Sequence, residues 1–242
     1  MSDAMLSVQN LSASYGAARI LYELSFEVGR GEVVALMGRN GAGKSTTMKA
    51  IMGLIAERDG AVHFNGSDIS RLKPYEIGRL GLGFTPEDRR IFADLTVLEN
   101  LDIGRQPPRI FRDGTPAPVW NEQRLLSLFP NLGEMPNRPG GRMSGGEQQM
   151  LTVARTLMGN PLLVLLDEPS EGVAPLIVEQ MANTIIELKR AGVSILLSEQ
   201  NVHFAELVSD RAYVLEKGQI QWNGSMAQLA QNIDIQRTYL TV

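Results

Sequence analysis

The chain of 242 residues has no cysteine. Disulfide bridges and thiolate metal sites are therefore excluded. It also has no excess of positive charge. With 23 Lys and Arg against 27 Asp and Glu, the net charge is −4 and the pI is near 5.3. A nucleic-acid-binding chain ordinarily presents a basic face, so no nucleic-acid partner is expected. Long apolar runs are missing too. No stretch approaches about 18 uninterrupted apolar residues, so no transmembrane segment is expected. Residues 1–9 lack the basic start and apolar core of a secretory signal. There is no internal repeat, no low-complexity tail and no sustained heptad pattern. What is present is 43% apolar and 21% charged residues, a balance that suits a globular domain with a real core.

Short apolar runs alternate with amphipathic segments, which predicts an α/β fold. Residues 32–37 (EVVALM) read as a buried strand, followed by a helix over 44–54. Strands are expected at 6–11, 21–28 and 61–64, forming a small antiparallel sheet beside that core. Residues 96–103 and 121–129 read as helices. Between them, residues 106–119 (QPPRIFRDGTPAPV) are rich in proline and read as an exposed, mobile loop. A strand at 162–166, a helix at 175–190 and a strand at 193–197 follow. Residues 211–215 and 219–222 are predicted to form a hairpin around Lys217-Gly218, and 225–232 a last helix. One domain is expected over residues 5–238, with an inserted helical subdomain at 86–143.

Chemistry is readable at three places. Gly38-Arg39-Asn40-Gly41-Ala42-Gly43-Lys44-Ser45 fits G-x-x-x-x-G-K-[ST], between a strand and a helix and followed by Thr46. Glycines let the backbone wrap a phosphate, and the helix start offers free N–H groups to the same anion. Lys44 would reach the β- and γ-phosphates of ATP and the Ser45 hydroxyl would bind Mg2+. The strand LLVLLDE then ends in two carboxylates. Asp167 suits holding Mg2+ through water, and Glu168 suits the general base, or the group that orients the attacking water. Third, Ser144-Gly145-Gly146-Glu147 opens an amphipathic stretch. Ser144 is placed to cap that helix, and the two glycines expose N–H groups to a second anion. A plain N-cap and turn explains the same residues.

Taken together, the order and spacing of these motifs resemble the nucleotide-binding subunit of ATP-binding-cassette (ABC) transporters over nearly the whole chain. The resemblance implies a P-loop NTPase (RecA-like) core with a flanking antiparallel β subdomain and an inserted α-helical subdomain. It implies that Tyr15 stacks on adenine, against the alternative of a strand-edge tyrosine. It implies that Ser144, Gly145, Gly146 and Glu147 contact the ATP held by a partner subunit in a head-to-tail dimer. Residues 171–175 (EGVAP) match the loop that packs across that dimer. Two permeases, a second ATPase and a solute-binding protein are the implied partners, and the cytoplasmic face of a bacterial inner membrane is the implied location.

Two positions depart from the general family pattern. Glu87 stands where most cassettes carry glutamine; it keeps an oxygen for Mg2+, directly or through a water, and adds charge. Gln200 stands where most carry the switch histidine; it can donate to a γ-phosphate but does not titrate near neutral pH. Glu168 is therefore expected to carry most of the base role. These departures, with residues 86–92 (PEDRRIF), resemble the second, LivF-type ATPase of branched-chain (hydrophobic) amino acid importers, which pairs with a LivG-like ATPase. Importers for urea, amides and aromatic acids share much of this pattern, as does the chemistry of exporter subunits. A homodimer of the isolated chain is a further possibility. Arg89, Arg90 and Phe92 are candidates for the permease contact, against a reading as solvated charges beside a core aromatic. A soluble ABC ATPase acting in nucleic-acid or translation processes is the alternative from another class, disfavoured by the single phosphate loop.

Overall fold

The computed structural model describes residues 4–240. Residues 1–3 of the segment read against a secretory signal lie outside them. Two sheets form the frame. The first is antiparallel, in the order β2-β1-β4-β5, built from β1 (Ala4–Tyr15), β2 (Ala18–Gly29), β4 (Glu57–Phe64) and β5 (Ser67–Asp68). The second has six strands in the order β10-β9-β3-β8-β7-β6. Its parallel members are β3 (Val33–Met37), β6 (Leu82–Thr85), β7 (Leu163–Asp167), β8 (Ser194–Glu199) and β9 (Arg211–Glu216), with β10 (Gln219–Ser225) antiparallel at one edge.

Burial on both faces explains the continuous apolar runs of the parallel strands. Along β3, Val34 and Leu36 join the core beneath the antiparallel sheet and α1 (Lys44–Ile51). Ala35 and Met37 face a separate cluster with Ala205 and Leu229. Along β7, Leu163 and Leu165 point one way, and Val164 and Leu166 point into the helical side. That side is built from α3 (Val97–Gly104), α4 (Glu122–Leu128), α5 (Pro130–Gly133), α6 (Gly145–Met158) and α7 (Pro175–Arg190). Four further α-helices are α2 (Pro74–Leu80), α8 (Val202–Val208), α9 (Met226–Gln231) and α10 (Ile233–Tyr239). Among the described residues no helix is long and apolar enough to cross a membrane.

The two sheets are locked together by Arg211. Its guanidinium pairs with Glu32, donates to the Glu27 carbonyl at 2.6 Å and lies over the Tyr213 ring. The hairpin around Lys217-Gly218 forms as expected, with both residues at positive φ. That is the type I′ geometry that matches strand twist.

The proline-rich stretch 106–119 is a largely exposed loop, as expected, but two of its residues are anchored in a core. Phe111 and Ala117 are buried in the core cluster of the antiparallel sheet. Arg30 stacks on the Phe111 ring at 3.5 Å and pairs with Asp113 at 2.7 Å. Asn160 ties the ends: its side chain accepts from the Trp120 backbone amide and donates to the Gln106 carbonyl, each at 2.7 Å. Proline removed regular structure here but left two apolar anchors that reach another layer.

Candidate active site

The phosphate loop, Asp167, Glu168, Glu87 and Tyr15 gather where the parallel strands end, the usual position for a ligand in an open α/β sheet. Strand β3 runs into the glycine loop, and Gly43, at φ 110, turns the chain into α1. A side chain is poorly tolerated there, because that φ lies in the region that favours glycine. Beside the loop lies a cavity of about 430 Å³. Asn40, Gly41, Gly43, Lys44, Ser45 and Thr46 form one wall, Glu87, Glu168 and Glu171 another. Tyr15, 51% exposed, stands with Ile20 at the same cavity. Gly38 and Ala42 belong to the loop without lining the cavity; Gly38 packs against the backbone of Leu215. Arg39 lies on the exposed side, its side chain reaching the Arg237 carbonyl.

The Lys44 ammonium is buried and held by three acceptors. It donates to the carbonyls of Gly38 at 2.7 Å and Arg39 at 3.2 Å, and pairs with Glu168 Oε1 at 3.0 Å. Such a buried pair is tolerable because each charge has the other and further polar contacts. Next to it, the Ser45 hydroxyl donates to Asp167 Oδ1 at 3.0 Å. The same oxygen accepts from the Ser198 hydroxyl at 2.6 Å. Burial pushes the Asp167 carboxyl up, and the Ser198 and Ser45 hydrogen bonds oppose that rise.

Glu168 takes a left-handed φ of 47, an unusual conformation for a residue with a side chain. Its amide donates to Ser198, to the carbonyl at 3.1 Å and the hydroxyl at 3.0 Å. Burial alone would raise its carboxyl. Hydrogen bonds from Glu171 and Lys44 and the charge of Lys44 outweigh burial and hold it below the usual range. Its second oxygen, Oε2, is buried and meets no N–H or hydroxyl donor.

Two residues given no role from the sequence, although they lie beside Gln200, organise this centre. Ser198, on the strand between β3 and β7, bridges Asp167 and Glu168. Glu199 is buried and accepts from the amides of Ser170, Gln200 and Asn201, each at 3.2 Å. It clamps the turn after Glu168 to the start of α8. Their signal was two polar residues at the end of an otherwise apolar strand. Gln200 itself is half-buried and does not line the cavity.

Ser144, Gly145, Gly146 and Glu147 lie elsewhere, and none lines the cavity. They open α6 with a capping box: Ser144 accepts from the Glu147 amide at 3.4 Å, and Glu147 accepts from the Ser144 amide at 2.7 Å. A Cβ on Gly146 would fall 2.6 Å from Ile177, so glycine lets α6 and α7 meet. The Arg89 guanidinium lies against Gly145, turned toward the helix start. Arg90 is exposed and pairs with Asp88 at 2.8 Å. Phe92 is 47% exposed under Arg155, so it is not a core aromatic.

The donor set fits a magnesium nucleotide. Ser45 and Asp167 offer adjacent hard oxygens, and the glycine loop with Lys44 offers donors for phosphate. Among the described residues no three acidic or histidine side chains converge as a ready-made cation cage, so bound phosphate would have to complete the coordination.

Fold and site define a P-loop ATPase of the cassette type, and comparison with known proteins agrees. The chain belongs to the ABC transporter ATP-binding family, which it matches over residues 21–171 and whose members hydrolyse ATP to power transport. It is 42% identical over 236 residues to the high-affinity branched-chain amino acid transport ATP-binding protein BraG of Pseudomonas aeruginosa, covering 98% of this chain and 99% of that one. It is 34% identical over 238 residues to the lipopolysaccharide export system ATP-binding protein LptB of Haemophilus influenzae, covering 98% and 97%. A crystal structure of a nucleotide-free ATP-binding cassette from an ABC transporter superposes with a TM-score of 0.79 at 29% identity, covering 95% of this chain and 94% of that one.

Proposed function

We propose that the chain is the ATP-hydrolysing subunit of an importer for branched-chain or other hydrophobic amino acids. The observation that carries this reading is the 42% identity to BraG over nearly the full length of both chains. A lipopolysaccharide-export role is the second reading, supported by the lower 34% identity to LptB.

In this reading the nucleotide phosphates take the place of Glu168 on Lys44. The Ser45 hydroxyl and the Asp167 carboxylate would hold Mg2+, Glu87 would add an oxygen, and Tyr15 would cover the adenine. When bound there, the ion would supply positive charge against the charge developing on the transferring phosphoryl group. Glu168, freed from Lys44, orients and deprotonates the water, and Gln200 donates to the γ-phosphate. Ser144, Gly145, Gly146 and Glu147 close on the ATP of a partner, which explains why they stand apart from the chain's own cavity. The partner is a second, LivG-like ATPase, and the pair sits on the cytoplasmic face of the membrane under two permeases. Residues 86–143 form the helical subdomain that docks them, with Arg90 and Phe92 at the contact and Arg89 turned to the helix start.

Reconstitution in proteoliposomes with the neighbouring permeases, second ATPase and binding protein tests the reading. ATP-driven uptake of labelled leucine is expected. Failure to take up any hydrophobic amino acid, with ATP-driven lipopolysaccharide extraction by an export assembly containing this chain, would move it to the second reading. Arg90→Glu combined with Phe92→Ala should keep ATPase activity and lose uptake; unchanged uptake would remove the docking assignment.

A further inference from the structure

Strand β8 ends in Ser198 and Glu199, two polar residues whose side chains leave a strand on opposite faces. Between them they grip the turn that carries Glu168 from both sides. Ser198 accepts from the Glu168 amide at 3.0 Å. Glu199, only 1% exposed, accepts from the Ser170 amide with Oε1 at 3.2 Å. Its Oε2 accepts from the amides of Gln200 and Asn201, each at 3.2 Å. An anion that merely capped the start of α8 would account for the Asn201 amide. It would not account for Ser170, which lies 29 residues away in another turn.

Glu168 needs such a grip. Its φ of 47 lies in the left-handed region, which a residue with a side chain keeps only where the surroundings over-determine it. The turn is closed by the Glu171 amide, which donates to the Glu168 carbonyl at 3.1 Å, and Pro169 has no N–H to add. Without the Ser170 tie, the far side of Glu168 loses its buried anchor.

We propose that Glu199 is a positioning residue of the ATPase reaction: through the Ser170 amide it holds Glu168 in its left-handed conformation and fixes that turn to the strand end that also carries Gln200. The assignment rests on the reading of Glu168 as the base. Glu199 touches neither nucleotide nor water in this scheme; it sets where the Glu168 carboxyl points.

The chemistry of the carboxylate makes the tie separable. The groups bonded to it are all N–H donors. Two acceptor oxygens satisfy them and a primary amide does not. In Glu199→Gln the single oxygen serves best where two N–H groups point, at Gln200 and Asn201. The NH2 group then opposes the Ser170 amide, donor against donor. That substitution unties the Glu168 turn and leaves the start of α8 in place.

The test uses the full chain with Mg-ATP and compares wild type with Glu199→Gln, Glu199→Ala, Glu168→Gln and the double variant Glu168→Gln/Glu199→Gln. Glu199→Gln should slow single-turnover hydrolysis roughly 10–100-fold, the cost of a misplaced group, with ATP affinity little changed. Amide hydrogen exchange of that variant should show Ser170 deprotected while Gln200 and Asn201 keep their protection. Glu199→Ala, which removes both oxygens, should slow hydrolysis at least as much. In the Glu168→Gln background the Glu199→Gln change should cost little more, since there is no base left to position. Asp113→Asn, remote from the cavity, controls for lost stability and should hydrolyse at the wild-type rate. A wild-type rate in Glu199→Gln or Glu199→Ala would overturn the positioning role. So would an undiminished further slowing in the Glu168→Gln background, which marks a structural effect that does not act through the base. If Glu168→Gln is slow and Glu199→Gln is not, only the positioning claim falls. If Glu168→Gln hydrolyses at the wild-type rate, the base reading falls and takes the positioning claim with it.

Discussion

Ser198→Ala isolates one buried bridge. The Ser198 hydroxyl is fully buried, donates to Asp167 at 2.6 Å and accepts from the Glu168 amide at 3.0 Å. Alanine removes both bonds, but the Glu168 amide keeps the Ser198 carbonyl at 3.1 Å. The dominant loss is therefore one charge-assisted donor to a buried carboxylate, worth about 2 kcal/mol. For a domain of this size that is a fall in Tm of about 4–8 °C. The pH dependence has a definite sign. Burial raises the Asp167 carboxyl and Ser198 opposes that rise, so the variant moves it further up. A carboxyl raised on folding loses stability as pH climbs from its ordinary range through its folded pKa. The deficit should thus widen from mildly acidic to neutral pH. Calorimetry on the nucleotide-free protein across that range reads it. A Tm within about 1 °C of wild type at every pH would refute the reasoning, since that is less than the loss of one net hydrogen bond.

Gly146→Ala should lower stability by about 1–3 kcal/mol, because its Cβ would lie 2.6 Å from Ile177 where α6 meets α7. Adding Ile177→Ala should recover part of that loss, and equal Tm values for wild type and Gly146→Ala would contradict the packing account. Asp113 is held at about 2 by the hydroxyl and amide of Thr115 and by Arg30. Its contribution is present above the ordinary carboxylate range and is lost as pH falls through about 2. Asp113→Asn should therefore be less stable than wild type at neutral pH and converge with it in strong acid; parallel acid-denaturation curves would dismiss the Arg30–Asp113 tie.

The phosphate loop and the strand ending in Asp167 and Glu168 were legible because local sequence alone dictates them. Glycines, a lysine and an apolar run carry their meaning at short range. The antiparallel sheet was read in the right place but too short. Register shifts around Val8 and Leu11, with Asn10 and Glu23 at positive φ, break the alternation that marks a strand. Helix α8 was not read because its seven residues are too few to show a helical period, and α2 and α10 were not read either. Of the latter two, the first buries only Ile77 and the second nothing, so neither carries a helical apolar stripe. Strand β6 has four residues, one of them Gly83, too few to show a period. The 106–119 stretch was rightly read as an exposed loop, but its two buried positions were not legible. Its anchors, Phe111 and Ala117, bury against residues remote in sequence, and no local pattern reports that. Ser198 and Glu199 were hidden the same way, as polar residues whose partners belong to other strands and turns.

Hydrolysis by Glu168→Gln tests the central claim most directly. The variant keeps the Ser45–Asp167 pair and the glycine loop and loses the charge that competes for Lys44, so Mg-ATP should bind at least as tightly as to wild type. Removing the base should slow single-turnover hydrolysis by at least about 100-fold. Near wild-type turnover with intact ATP binding would contradict the account.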